Sequence, residues 1–246
     1  SGLKRGFFQA NDLFSQESGG HFGMLPENAL NLRVGLIDIG VLAQPLNVRR
    51  TVNKPLPYTY VVADGWDLGD LSSGLEANGV LMSRIKYNAG VVNGTTRGTP
   101  SGVFDENNVK DLYYRVAYKY GGLSFDGKEW GGGEAGELTQ PAHWVDNAIT
   151  VGQFGYWGTS TLEATTGGLV APFNQFWRLG WDTRVNFGDL DLYGAIVKGR
   201  DNKASATVRD LDTWSWFIEA DYALFPWLQP AIRYEQVTYD KAFARD

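Results

Sequence analysis

The sequence predicts an all-β fold: an antiparallel transmembrane β-barrel with about 9–12 strands in this chain, of the outer-membrane type. Three observations predict it. Apolar residues recur at every second position in segment after segment, the period of a strand whose two faces meet different surroundings. Aromatic residues make up 14% of the 246 residues and glycines number 31, yet mean hydropathy is only −0.27. No apolar run reaches the ~18 residues of a membrane-crossing helix. Third, the connections sort by length, with short turns at one end of the strands and long polar loops at the other.

The first clear alternation is 30–38, where Leu30, Leu32, Val34 and Leu36 oppose Asn31, Arg33 and Gly35. A weaker one at 74–82 leads through Ser83 into 84–92, where Ile85, Tyr87, Ala89 and Val91 oppose Lys86, Asn88 and Gly90. In 111–120, Leu112, Tyr114, Val116, Tyr118 and Tyr120 oppose Asp111, Arg115 and Lys119. Segment 144–157 is weaker. The clearest is 174–187, with Gln175, Trp177, Leu179, Trp181, Val185 and Phe187 on one face and Arg178, Asp182 and Arg184 on the other. At ~3.3 Å per residue it spans roughly 46 Å, long enough for a tilted strand that crosses a bilayer and protrudes. Segment 190–199 is weaker. In 212–225, Trp214, Trp216, Ile218 and Tyr222 oppose Glu219 and Asp221, and 227–238 closes the series with Arg233 and Glu235 on its polar face.

The short links are Ser83, Gly188–Asp189 and the stretch around Pro226; the long ones are 40–73, 94–110, 158–173 and 200–211. A strand at 122–130 would put the turn at 188–189 on the long-loop side. We therefore read 121–142, which holds Gly131–Gly133 and Pro141, as one long connection. Nine clear strands result, with room for another in 1–28. Single-chain bacterial barrels use even strand numbers, and the chain ends on Phe243, Ala244, Arg245 and Asp246 rather than on an aromatic residue. The expectation is an incomplete larger barrel. It would comprise an N-terminal rim or lumen segment (1–28), the barrel with its long loop 40–73 (29–240) and a truncated tail (241–246).

Composition excludes several classes. With zero cysteine there is no disulfide framework, thiolate zinc site, iron–sulfur cluster or covalently attached haem. A net charge of −6 and a pI near 5.0 argue against nucleic acid as a partner. No cofactor or metal is expected.

Tyr87-Asn88-Ala89-Gly90-Val91-Val92-Asn93-Gly94, Leu32-Arg33-Val34-Gly35-Leu36-Ile37, and Phe176-Trp177-Arg178-Leu179-Gly180 with Leu190-Asp191-Leu192-Tyr193-Gly194 resemble strands of bacterial outer-membrane porins in the phosphate-selective porin O and P group. The resemblance is scattered from about 30 to 238. It implies a diffusion channel in the outer membrane of a Gram-negative bacterium, a homotrimer, and a loop folded into the lumen. The chain departs from that group in its terminus and in lacking a lysine-rich cluster.

Other motifs carry less. Gly131-Gly132-Gly133-Glu134-Ala135-Gly136 matches a dinucleotide fingerprint, but Leu138-Thr139-Gln140-Pro141 follows instead of a helix. Nothing places a nucleophile beside His21 or His143, the only histidines, so no catalytic residue is expected. Glu219 and Asp221 have the spacing any polar strand face offers.

The functional expectation is a porin for passive diffusion of small hydrophilic or anionic solutes. Arg33, Lys86, Arg115, Lys119, Arg178, Asp182, Arg184, Glu219, Asp221, Arg233 and Glu235 would line the pore, where basic groups outnumber acids. Tyr118, Tyr120, Trp177, Trp214, Trp216 and Tyr222 would form interfacial aromatic girdles against outer-membrane lipid. In loop 40–73, Arg49, Arg50 and Lys54 oppose Asp64, Asp67 and Asp70, as in a constriction that sets a transverse field. Two alternatives remain open. One is a structural barrel sheathing a partner such as a multihaem cytochrome; the other is a soluble Trp-rich carbohydrate-binding β domain.

Overall fold

The computed structural model describes residues 6–15, 25–39, 41, 71–94, 109–126, 147–161, 173–203 and 209–239. The described chain is all-β. Ten strands follow in order: β1 Gly6–Ala10, β2 Asn31–Asp38, β3 Leu71–Leu81, β4 Ile85–Val92, β5 Asp111–Gly121, β6 Ala148–Thr161, β7 Phe173–Phe187, β8 Leu190–Lys203, β9 Arg209–Tyr222 and β10 Ala231–Tyr239. They form one 10-stranded sheet in sequence order, and every neighbouring pair is antiparallel. Such a meander needs only local connections. Among the described residues β1 and β10 are the two ends of the sheet and do not pair with each other. The antiparallel sheet is therefore established, and closure into a barrel is not part of what these pairings contain.

The nine expected strands are joined by β1, whose Gly6–Ala10 pairs with Leu32–Leu36 of β2. No strand occupies 122–126. Instead Arg84 donates from Nη1 to Gly121 O (2.7 Å) and from Nη2 to Gly122 O (3.0 Å), and Phe125 N donates to Ser83 O (3.0 Å). The chain leaving β5 is thus folded back over the β3–β4 turn. The short turns at 82–84 and 188–189 lie at one end of the sheet together with the exits of β5 and β9. Strands β8 and β9 run further than the apolar alternation does, because Lys198–Trp214, Arg200–Asp212 and Asp201–Leu211 continue their ladder. The link between them is correspondingly shorter than 200–211.

The two faces of the sheet are opposite in character. One carries Val34, Leu75, Val91, Leu112, Val116, Tyr118, Val151, Trp181, Ile196, Ile218 and Tyr234, all exposed. The other is buried and holds both aromatic and charged residues. Tyr113, Phe154, Tyr156, Phe176, Tyr193 and Phe217 lie there beside Glu76, Asp111, Arg115, Arg178, Asp182, Asp201, Glu219 and Asp221. In a water-soluble sheet the partition runs the other way, because an isolated charge is costly to bury and apolar area is costly to expose.

Glycines make room on the crowded face. A Cβ on Gly152 would sit 2.3 Å from Arg115 Nη2, one on Gly90 2.4 Å from the Tyr113 ring, and one on Gly180 2.4 Å from the Phe154 ring. Side chains from neighbouring strands lie across these bare positions, which lets the face pack closely.

Candidate functional site

The charged face is organised as ion pairs between strands. Arg115 on β5 reaches over β6 to Asp182 on β7, with Nη2–Oδ1 at 2.7 Å and Nε–Oδ2 at 3.1 Å. Arg178 on β7 pairs with Asp201 on β8 at 2.7 Å, and Asn174 Nδ2 donates to the other carboxylate oxygen at 2.8 Å. Arg184 grips Asp191 with two bonds of 2.9 and 2.7 Å. Arg233 lies 3.7 Å from Glu219 and 2.9 Å from Glu235, with its guanidinium 4.9 Å from the Phe217 ring centroid. Arg33 reaches Glu76 at 3.3 Å, and Glu76 also accepts from Tyr113 Oη at 2.6 Å. Bidentate arginine–carboxylate geometry and extra donors are what make buried charges tolerable.

Aromatic rings fill the space between these pairs. Tyr113, Tyr156 and Phe176 stack in sequence across β5, β6 and β7, at 6.5 and then 5.7 Å between centroids. Tyr156 Oη donates to Asp111 Oδ2 (2.7 Å), whose Oδ1 accepts from Thr159 N (3.0 Å). Tyr193 meets Phe217 edge-on at 5.3 Å.

The face divides into two halves. From β5 to β9 its side chains are deeply buried: Arg178 is 1% exposed, Asp182 1%, Asp201 0% and Phe154 0%. From β1 to β4 it is more open, and the Arg33 side chain is 36% exposed. A cavity of about 190 Å³ opens at the short-turn end of this half, lined by Asn28, Asn31, Asn78, Gly79, Val80, Lys86, Phe125 and Asp126.

Every residue expected to line a pore lies on the charged face, since Arg33, Lys86, Arg115, Lys119, Arg178, Asp182, Arg184, Glu219, Asp221, Arg233 and Glu235 share its register parity. They are not equivalent. Arg115, Arg178 and Asp182 are locked and buried, whereas Arg33, Lys86 and Arg184 have accessible surface. Sequence reasoning set Asp111 on the polar face but left it out of the pore lining, and it missed Asp191 and Asp201; with these and Glu76, the eight acids among the described residues slightly outnumber the seven basic groups that had been expected to prevail. Their signal was present as register parity but was masked by the apolar residues on the same face. Tyr118, Tyr120, Trp177, Trp214, Trp216 and Tyr222 all lie on the opposite face, with Trp157, Trp181 and Phe187 in addition. Arg49, Arg50, Lys54, Asp64, Asp67 and Asp70 lie outside the described residues, as do His21, His143, the 131–136 glycine run and the tail 241–246.

Among the described residues no group of His, Asp and Glu is arranged to hold a metal, and no helix is long and apolar enough to cross a membrane. The latter says nothing of strands. Searches against family models, curated proteins and solved structures return no match for this chain.

Proposed function

We propose that the chain forms the wall of an outer-membrane β-barrel that lets small polar solutes diffuse passively. The observation that carries this reading is the inverted partition of the sheet. Trp181, Phe187 and Ile232 are 61%, 73% and 74% exposed on one face, while Arg115, Arg178, Asp182, Asp201, Glu219 and Asp221 are buried on the other. A lipid-facing outer surface and a polar interior account for both at once. Water on the aromatic face accounts for neither.

Dimensions support the same reading. Trp177 and Phe187 face the same way near opposite ends of β7, about 33 Å apart at ~3.3 Å per residue. A strand tilt of about 40° reduces that to about 25 Å, the height of an outer-membrane apolar band. Tyr120, Phe187 and Tyr222 lie toward the short-turn end, and Trp157, Trp177 and Trp214 toward the other, as interfacial girdles do. Beyond Trp214 the outward positions turn polar, with Arg200 3.5 Å from Asp210 and 4.0 Å from Asp212.

In this reading solutes pass along the β1–β4 side. The near balance of acids and bases on the inner face argues for weak charge selectivity. Planar-bilayer recording of the purified protein tests the proposal. Stepwise conductance in KCl is expected; a chain that is monodisperse in water without detergent and leaves bilayers silent overturns it.

A further inference from the structure

The cavity at the short-turn end holds groups that the ion-pair network does not use. Among the described residues, Lys86 makes no hydrogen bond or ion pair, although the arginines at the middle of the same face are all paired. Three amides share the lining with it. Asn31 Oδ1 accepts from Asp12 N at 2.9 Å, and Asn78 Nδ2 donates to Glu76 at 3.0 Å. Among the described residues this leaves the Asn31 NH₂, the Asn78 carbonyl oxygen and the Asn28 side-chain amide without a bond. Asp126 makes no ion pair with Lys86; its Oδ2 accepts from Ser83 Oγ at 2.5 Å, and its other oxygen accepts from Ser124 Oγ. The strap bearing Phe125 and Asp126 is held in place by Phe125 N–Ser83 O and by Arg84 on the Gly121 and Gly122 carbonyls. The cavity is therefore built, with a wall on the strap side and, among the described residues, a single uncommitted cation.

From this chemistry we infer that the cavity is a solute-binding subsite for a small hydroxylated monocarboxylate. The ammonium takes the carboxylate. The amides, which offer donors and acceptors side by side, take hydroxyls that need both. A volume of 190 Å³ lies below the ~300–1,000 Å³ of sites for drug-sized ligands, so the occupant is small. With the Lys86 ammonium and the Asp126 carboxylate both on the lining, the cavity suits a single negative charge better than a di- or trianion. This subsite rests on the channel reading and deepens it by naming the class of solute held at the mouth.

Saturation-transfer NMR on the folded full chain in detergent, titrated separately with gluconate, sorbitol, acetate and inorganic phosphate, tests the inference. Gluconate is expected to bind more tightly than the other three. Lys86→Gln should weaken it about tenfold, the loss of one charge-assisted contact, and Lys86→Arg should retain most of it. Asn78→Leu should weaken gluconate and sorbitol while leaving acetate unchanged. Gluconate binding that is absent, that is unaffected by Lys86→Gln, or that phosphate matches overturns the inference. Conductance is recorded on the same preparation. A protein that conducts but does not bind gluconate overturns the subsite and leaves the channel reading standing; a protein that binds gluconate but never conducts does the reverse.

Discussion

Arg115 and Asp182 meet across an entire strand, with the guanidinium lying over the bare Cα of Gly152 on β6. Three consecutive strands are thereby tied by one bidentate pair whose side chains are 6% and 0% exposed. Removing one partner leaves the other charge buried, so Arg115→Met or Asp182→Leu should each cost about 3–5 kcal/mol. The double replacement should recover most of that loss, because apolar groups fill the same volume without an orphan charge. Denaturant unfolding in detergent, followed by tryptophan fluorescence, measures all three variants.

Gly152→Ala tests the same relationship from the other side. Its Cβ would lie 2.3 Å from Arg115 Nη2 and 2.8 Å from Asp182 Oδ1, so the pair must shift or open. The loss should be smaller than for Arg115→Met, about 1–3 kcal/mol, as for other overpacked sites. It should largely vanish in the Arg115→Met/Asp182→Leu background. An equal loss in both backgrounds would show that the glycine serves the backbone and not the ion pair.

Charge placed in the middle of the outward face should be poorly tolerated. Ile196→Arg or Ile218→Arg should reduce folding stability in lipid by about 2–4 kcal/mol, the cost of a cation at the bilayer midplane. Gln175→Arg, beyond Trp177 toward the strand end, should cost about 0–1 kcal/mol. Equal tolerance at all three sites, read from urea titrations of vesicle-folded protein, would speak for water and not lipid on this face.

Asp111 accepts both the Tyr156 hydroxyl and the Thr159 amide. Asp111→Leu strands both donors and should cost about 1–3 kcal/mol each before relaxation. Hydrogen exchange should accelerate first at Thr159 and its neighbours on β6, with β8 and β9 little changed.

Arg84 fastens the strap over the β3–β4 turn through two carbonyls at 2.7 and 3.0 Å. Arg84→Ala should release 122–126 locally, at about 1.5–3 kcal/mol for bonds from a charged donor. Limited proteolysis between Gly121 and Asp126 should increase while the sheet stays folded.

Much of the fold was legible in the sequence where one face is uniformly apolar. The 174–187 alternation is clear because Trp177, Leu179, Trp181, Val185 and Phe187 share a single outward environment, with Thr183 the one polar residue among them. β8 was faint for a physical reason: its inner positions Asp191, Tyr193, Ala195, Val197 and Asp201 mix charge with apolar bulk, which erases the contrast that alternation depends on. β1 was hidden by its brevity, five residues whose pairing with β2 is fixed by register and not by pattern. The cavity could not be read locally at all. Asn28, Asn78, Lys86 and Asp126 come from four stretches, and only the fold-back of 122–126 gathers them. Which charges are locked and which are open depends equally on geometry: Arg115 and Lys86 look alike on alternating strands, yet only Arg115 has a carboxylate within reach across a glycine.

That difference between Arg115 and Lys86 divides the wall into two populations that answer unequally to the surrounding electrolyte. Mobile ions screen charges they can approach, over about 8 Å at physiological ionic strength, and barely touch those sealed from water. Arg115–Asp182 and Arg178–Asp201 should keep their grip from dilute buffer to brine, while Lys86 and Arg33 fade from a solute's view as salt rises. Bath composition can thus retune what the passage attracts without loosening the wall that encloses it.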